Sequence, residues 1–438
     1  MNTRLTPCDT LVTAQYLLMQ AQSEPVRGKA VAVTNGVVTA IDTLEVLRRI
    51  YLPRTVLDCG NSIIMPGLIN GHTHASMTLL RGLADDLPLF TWLNEHIFPM
   101  ERKLDAELIG LGAMLACAEM TRFGVTAFTD MYLAENAVFE AADTAGLRML
   151  GGEAIFAFPS HGYTTEDEAF TLIEEQAARW KNHPRIRVAV MPHAVYTTTP
   201  ALLERSRDMA EKLHLPIHIH IAENRTEVEN CLNAHGKTPL RYCHEHGILT
   251  DHTSIAHGVV FDDEELDLLA SSGASVIHCP RSNMKLSSGV ARVPEMLKRG
   301  ITVGLGTDGA ASSNNLNVTA EMFAAALLHK VTNLDSTAVP AQSVLGMATE
   351  GNAKALCWPE LGVIAEGRPA DIIAVDFSAP HMQPVHSPVS NLVYAATGSE
   401  VRMTMVAGEV LYKDGEYTRI DFESLCAKAA EASARLRR

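Results

Sequence analysis

The sequence predicts an α/β architecture, a (β/α)8 TIM-like barrel with a small β-sandwich domain built from both chain ends. Three observations predict it. Through the middle of the chain, apolar strand-like runs alternate with amphipathic helical stretches, the mark of βα units and a parallel sheet. About eight such runs occur, and nearly all end in His, Asp or Glu, where a barrel displays its working face. The flanking segments instead show short β-type runs separated by turn signals. The expected division is 1–64 for the first part of the sandwich, 65–364 for the barrel, and 365–438 for the return into the sandwich with a terminal helix. The 438 residues suit a barrel of roughly 250 residues with additions.

The elements follow in order. Ala30-Val31-Ala32-Val33 and Val37-Val38-Thr39-Ala40-Ile41 flank Asn35-Gly36, a hairpin signal. Barrel strands are expected to end at His72/His74, Asp130, Glu153, His193, His220, His257, Cys279 and Asp308. The β texture returns in Ile372-Ile373-Ala374-Val375 and in the run from Met403 to Tyr412, before Lys413-Asp414-Gly415. There is no shorter internal repeat and no low-complexity segment.

Hydrophobic residues make up 47% of the chain and its formal net charge is -15. Such a balance implies a filled core and argues against a nucleic-acid or anionic-membrane surface. No signal-like opening and no apolar run of roughly 20 residues is present, which points to the cytoplasm. The eight cysteines are scattered without a Cys-x-x-Cys, so reduced thiols are expected rather than disulfides or a zinc knuckle.

The chemistry begins at His72-Thr73-His74. Side chains two apart on a strand share a face, so both imidazoles can reach one metal ion. On the fifth strand His218 and His220 alternate with isoleucines; His220, nearer the rim, is the expected ligand, and His218 a packed, hydrogen-bonded core histidine. Glu223 follows just past the rim. His257 and Asp308 close the sixth and eighth strands, and each taken singly could be a structural polar cap. With His72, His74 and His220, however, Asp308 completes three nitrogens and one oxygen with room for water, as a catalytic metal requires. The fourth strand, Ala189-Val190-Met191-Pro192-His193, has no lysine to bridge two ions, so one metal is expected.

These motifs, with Leu80-Arg81-Gly82-Leu83-Ala84-Asp85-Asp86, His278-Cys279-Pro280-Arg281-Ser282-Asn283-Met284-Lys285-Leu286 and Glu366-Gly367-Arg368-Pro369-Ala370-Asp371, carry a family resemblance. The chain resembles the amidohydrolase superfamily in its single-metal deaminase branch, and is most similar to 5'-methylthioadenosine/S-adenosylhomocysteine deaminases. The resemblance implies that His72, His74, His220 and Asp308 bind Zn²⁺ or Fe²⁺. It also implies hydroxide attack at C6 of an adenine ring. Asp308 would take the proton, Glu223 would protonate the ring nitrogen, and His257 would hydrogen-bond the attacking oxygen.

For a purine nucleoside substrate, the matching positions are Glu101 for the ribose hydroxyls and His193 for the purine edge. Trp92, Leu89 and Phe90 could cover the 5' substituent or simply pack in the loop, and His161 reads as a solvated loop histidine. Relatives that use S-adenosylhomocysteine well can clamp its carboxylate with arginines after the third strand. Met149 to Ala178 contains no Lys or Arg, so 5'-methylthioadenosine or adenosine is the expected substrate. Guanine, 8-oxoguanine or cytosine deamination and chloro-s-triazine hydrolysis are alternatives on the same metal set; a homo-oligomer is expected only by analogy.

Overall fold

The computed structural model describes residues 5–437 as a mixed α/β fold. Thr6–Thr13, Lys29–Thr34, Val37–Thr43 and Tyr51–Asp58 form a four-stranded sheet. Asn35 and Gly36 reverse the chain with φ of 52° and 77°, the left-handed pair that a two-residue hairpin loop demands. A seven-stranded sheet joins the two ends of the chain: Ser62–Pro66 runs antiparallel to Ile372–Asp376, with Ile64 opposite Ala374. The run from Met403 to Tyr412 divides into Val401–Val406 and Glu409–Lys413, because Ala407 and Gly408 adopt φ of 48° and 77° and turn the chain back. Val12, Val31 and Val33 from the first sheet and Ile64, Ile372 and Met403 from the second bury one apolar cluster.

Eight parallel positions occupy the middle of the chain. They are Leu68–Thr73, Val125–Tyr132, Arg148–Ile155, a fourth split into Ile186–Val188 and Met191–Pro192, then Ile217–Ile221, Thr253–His257, Ser275–His278 and Val303–Leu305. The first four form one parallel sheet and the last four another. Bridges Val190 to Ile217 and Ala194 to His220 join the fourth to the fifth. Outward residues such as Ile217, Ile219 and Ile221 are buried, which leaves the alternate positions facing the centre.

The first and eighth positions meet through individual hydrogen bonds. Asp308 N–H donates to the His72 carbonyl at 3.0 Å, and Asn70 exchanges two hydrogen bonds with Thr307 at 2.7 and 2.9 Å. Asn352 Nδ2 donates to the Ile69 carbonyl at 2.6 Å and to the Leu305 carbonyl at 2.8 Å, clasping both strands. Glycine makes room for the clasp, since a Cβ on Gly304 would lie 1.9 Å from Asn352 Oδ1.

Several expected strand ends are corrected, among them the fourth, which ends at Pro192 rather than His193, and the eighth, which ends at Leu305 rather than Asp308. The second position continues past Asp130 to Tyr132 and the third past Glu153 to Ile155. Both carboxylates are buried and bound to protein: Asp130 accepts from Thr73 Oγ1 and Ala75 N, both at 2.6 Å, and Glu153 accepts from Ala134 N and Glu135 N. These acids hold loops, because a buried carboxylate close to unpaired N–H groups is consumed by them. The seventh position ends at His278 rather than Cys279, and the His278 ring faces His329 of the outer helix Val318–Asn333 at 3.2 Å.

Asn352→Ala is expected to lower stability to urea by about 1–3 kcal/mol for each carbonyl left without its donor. Equilibrium unfolding of the two proteins measures it; an unchanged midpoint would show that the clasp contributes nothing.

Candidate active site

His72 and His74 leave the first parallel position on one face, as period-two alternation dictates. Each ring is oriented by its outer nitrogen. His74 Nδ1 lies 2.6 Å from the Met131 carbonyl and His220 Nδ1 lies 2.8 Å from the His193 carbonyl. A carbonyl can only accept, so both Nδ1 atoms carry the proton and both Nε2 atoms present lone pairs inward. His72 Nε2 stands 3.2 Å from His220 Nε2 and 3.6 Å from Asp308 Oδ1, which is 3.3 Å from His74 Nε2. Lone pairs and a carboxylate oxygen facing one another at such distances fit a cation between them. Burial keeps the His72 imidazole neutral, with its pKa pushed down to about 4, and lowers His220 well below its ordinary value. Neutral imidazole is the ligand form.

His257 differs. Asn283 Nδ2 lies 3.1 Å from His257 Nδ1 and donates to it, which places the ring proton on Nε2. His257 therefore faces the centre as a donor, suited to an incoming oxygen. Asp308 Oδ2 accepts from Ser282 Oγ at 2.6 Å and Ser312 Oγ at 2.9 Å. Ser282 and Asn283 sit on the short helix Pro280–Lys285, so one turn orients two site residues.

Glu223 is buried with 7% exposure, and burial together with the nearby Asp308 charge raises its carboxyl to about 8. Its position comes from Ala222, whose φ of 53° throws the chain inward, and from Glu227, which accepts Ala222 N–H at 3.0 Å and Glu223 N–H at 2.7 Å. His257 and Asp308 also hold left-handed φ, 74° and 59°. Such conformations cost about 1–3 kcal/mol each and gather where a site needs a side chain aimed.

These groups open into one cavity. Its wall includes His74, Trp92, Glu101, Tyr132, Phe156, His193, Tyr196, His220, Glu223, His257, Leu286 and Asp308, and among the described residues no Lys or Arg. Glu101, Trp92 and His193 all line this cavity. Burial raises the Glu101 carboxyl and lowers His193 to about 3. Phe90 does not line the cavity but sets its ring edge-on to Tyr196; the Leu89 side chain lies outside the described residues. His161 stays on an exposed loop, its Nε2 2.8 Å from the Glu101 carbonyl. His218 is buried, as expected, and contacts His72. Sequence reasoning missed Glu227, Asn283, Ser282, Ser312 and Tyr196. Asn224-Arg225-Thr226-Glu227 carries a helix-start signal that marked Glu227; the others had no signal beyond their motif.

A model of the amidohydrolase family matches residues 63–411. The 5-methylthioadenosine/S-adenosylhomocysteine deaminase of Nitratidesulfovibrio vulgaris (strain Miyazaki F) is 54% identical over 96% of both chains, and that of Desulfovibrio desulfuricans 49% over 96% of both. Among solved structures, a zinc-bound adenosine deaminase from Xanthomonas campestris superposes with a TM-score of 0.97 at 36% identity, covering 99% of this chain and 100% of that one. A zinc-complexed atrazine chlorohydrolase from Arthrobacter aurescens shares the fold, with a TM-score of 0.90 at 23% identity over 97% and 100%.

Glu227→Ala leaves two buried N–H groups without an acceptor. Stability to urea should fall by about 1–3 kcal/mol for each, and a midpoint equal to the wild type would remove Glu227 from the support of Glu223.

Proposed function

Because the chain belongs to the amidohydrolase family, we infer that it is a metal-dependent hydrolytic deaminase. It converts 5'-methylthioadenosine and adenosine, and S-adenosylhomocysteine less well, to the inosine analogue and ammonia. The observation that carries this reading is the raised Glu223 carboxyl beside the converging rings of His72, His74 and His220 and the Asp308 carboxylate. The fold is read as a (β/α)8 barrel over 65–364, with a sandwich from 1–64 and 365–438. The cytoplasm is the compartment proposed; among the described residues no helix is long and apolar enough to cross a membrane.

His72, His74, His220 and Asp308 would hold one divalent ion per subunit, Zn²⁺ by preference and Fe²⁺ as the second choice. Bound there, the ion supplies Lewis acidity that brings a water pKa to roughly 7. The protein's own groups do the rest. Asp308 accepts the proton of the attacking water. Glu223, protonated below about pH 8, donates to the purine ring nitrogen as the C6–O bond forms; Asp308 then returns its proton to the departing amine while Glu223 takes the proton of the new C6 hydroxyl as the carbonyl forms. The His257 Nε2–H donates to the oxygen and stabilises the tetrahedral carbon's charge. His193 faces the purine edge, Glu101 the ribose hydroxyls, and Trp92 the apolar 5' substituent. Water and the C6 amine thereby become a C6 carbonyl and ammonia.

Triazine hydrolysis is not favoured: the chlorohydrolase likeness at 23% identity speaks for the fold alone, whereas the deaminase relatives match along almost the whole chain.

Two outcomes are expected. Ammonia release by zinc-loaded protein should be led by 5'-methylthioadenosine, with S-adenosylhomocysteine slower by about tenfold or more in kcat/KM, because no Lys or Arg among the described lining residues pairs its carboxylate; guanine and cytosine should not turn over, and stripping the metal should abolish activity. Equal efficiency on the two nucleosides would overturn the specificity claim. In the pH profile, the proton-donating form of Glu223 is complete below its raised pKa and lost above it, so kcat/KM should fall as pH rises through about 8. A rate still flat at pH 10 would mean that Glu223 is not the acid.

A further inference from the structure

Behind His72 lies a line of two buried side chains that the reaction above leaves unused. His72 Nδ1 is 2.8 Å from His218 Nε2, His218 Nδ1 is 2.7 Å from Ser254 Oγ, and Ser254 Oγ is 3.5 Å from the Ile217 carbonyl. His72 and His218 have no exposure and Ser254 has 2%. His218 and Ser254 are register partners on the adjacent fifth and sixth positions, so their side chains stand side by side on one face.

We propose that His218 and Ser254 are positioning residues that fix the tautomer of His72 and so keep its Nε2 available to the metal. This rests on the metal reading given above. The order of protons admits two states. In one, His72 Nδ1–H donates to His218 Nε2, His218 Nδ1–H donates to Ser254 Oγ, and the serine hydroxyl turns toward the Ile217 carbonyl. His72 Nε2 then offers a lone pair. In the other, every donor reverses: the serine hydroxyl donates to His218 Nδ1, His218 Nε2–H donates to His72 Nδ1, and the His72 proton sits on Nε2. That proton points at His220 Nε2 and Asp308 Oδ1, 3.2 and 3.6 Å away, and closes the site to a cation.

Because every donor reverses together, the two states differ in proton order and not in net charge. His74 and His220 need no such device, because each rests on a carbonyl that accepts and cannot donate. His72 rests on another imidazole, which can do either, and Ser254 decides which. The spacing His218-x-His220 thus divides two roles between neighbours on one strand face: His220 faces the ion, and His218 reaches across the centre to orient the ligand of another strand.

The test is zinc affinity, measured by competition of Zn²⁺ between the metal-stripped full chain and a chromophoric chelator. Ser254→Ala leaves the His218 Nδ1–H without an acceptor and should weaken zinc binding by about 10–100-fold, the effect seen when a partner of a ligating histidine is removed. Ser254→Thr retains the hydroxyl and should restore affinity to near the wild-type value. Ring nitrogen correlations from ¹⁵N-histidine in the zinc-loaded wild type provide a reading that needs no variant: His218 should carry its proton on Nδ1, with Nε2 bare. Equal affinity of wild type and Ser254→Ala, or a proton on His218 Nε2, would overturn the relay while leaving the metal reading intact. A wild-type chain that binds no zinc would overturn both.

Discussion

The contact between the first and eighth parallel positions is the constraint on which the site depends. His72 and His74 lie at one end of the ring of strands in sequence and Asp308 at the other, more than two hundred residues on, and they must meet within hydrogen-bonding distance. No continuous ladder brings them together. The Asp308 N–H to His72 carbonyl bond, the paired Asn70–Thr307 contacts and the two-handed Asn352 amide do so. Amide side chains suit this place because each supplies donor and acceptor at fixed spacing, so they can stand in for a backbone strand where the twist prevents one. The glycines at 304 and 306 follow from the same closeness: a Cβ on Gly306 would lie 2.8 Å from that of His72.

Once the seam is closed, burial determines the chemistry of each group. Imidazoles removed from water lose their protons, the form that can ligate a cation, and Glu223, equally buried and repelled by Asp308, keeps its proton. Glu227 stands directly behind it with a carboxyl also raised, to about 7, by burial, yet its oxygens are taken up by backbone N–H groups. Two neighbouring glutamates therefore differ through hydrogen bonding: the one without partners faces the cavity, and the one with partners holds the turn. The same rule separates Asp308 from Asp130 and Glu153, which were read from sequence as members of a common ring of strand-end acids.

That misreading shows where sequence reasoning ends. Alternation and strand-end histidines were legible because period two and the His-x-His spacing are local facts; they pointed to His72, His74, His220 and His257, whose rings the structure brings together. The Asn35-Gly36 hairpin was equally legible, since its left-handed requirement is local too. Asp130 and Glu153 were misassigned because what consumes them, Thr73 and the N–H groups of Ala75, Ala134 and Glu135, is contributed by other segments. Asn352 left no trace at all: an asparagine in a late helix gains its meaning only from the two strands it clasps.

The frame is also indifferent to the reaction. A chlorohydrolase at 23% identity superposes on it with a TM-score of 0.90, so the fold alone does not decide between C–N and C–Cl chemistry. The decision falls to residues that reach the cavity from loops and short helices. Glu101 and Trp92 come from the segment after the first position, Tyr196 from the turn after the fourth, and Leu286 from the end of the Pro280–Lys285 helix. Their sum is a cavity without Lys or Arg among its described lining residues, so an anionic substrate tail would find no guanidinium there to replace its lost water, whereas a neutral thioether would need none. On the proposed reading, discrimination would arise as much from the side chains the cavity lacks as from the contacts it makes.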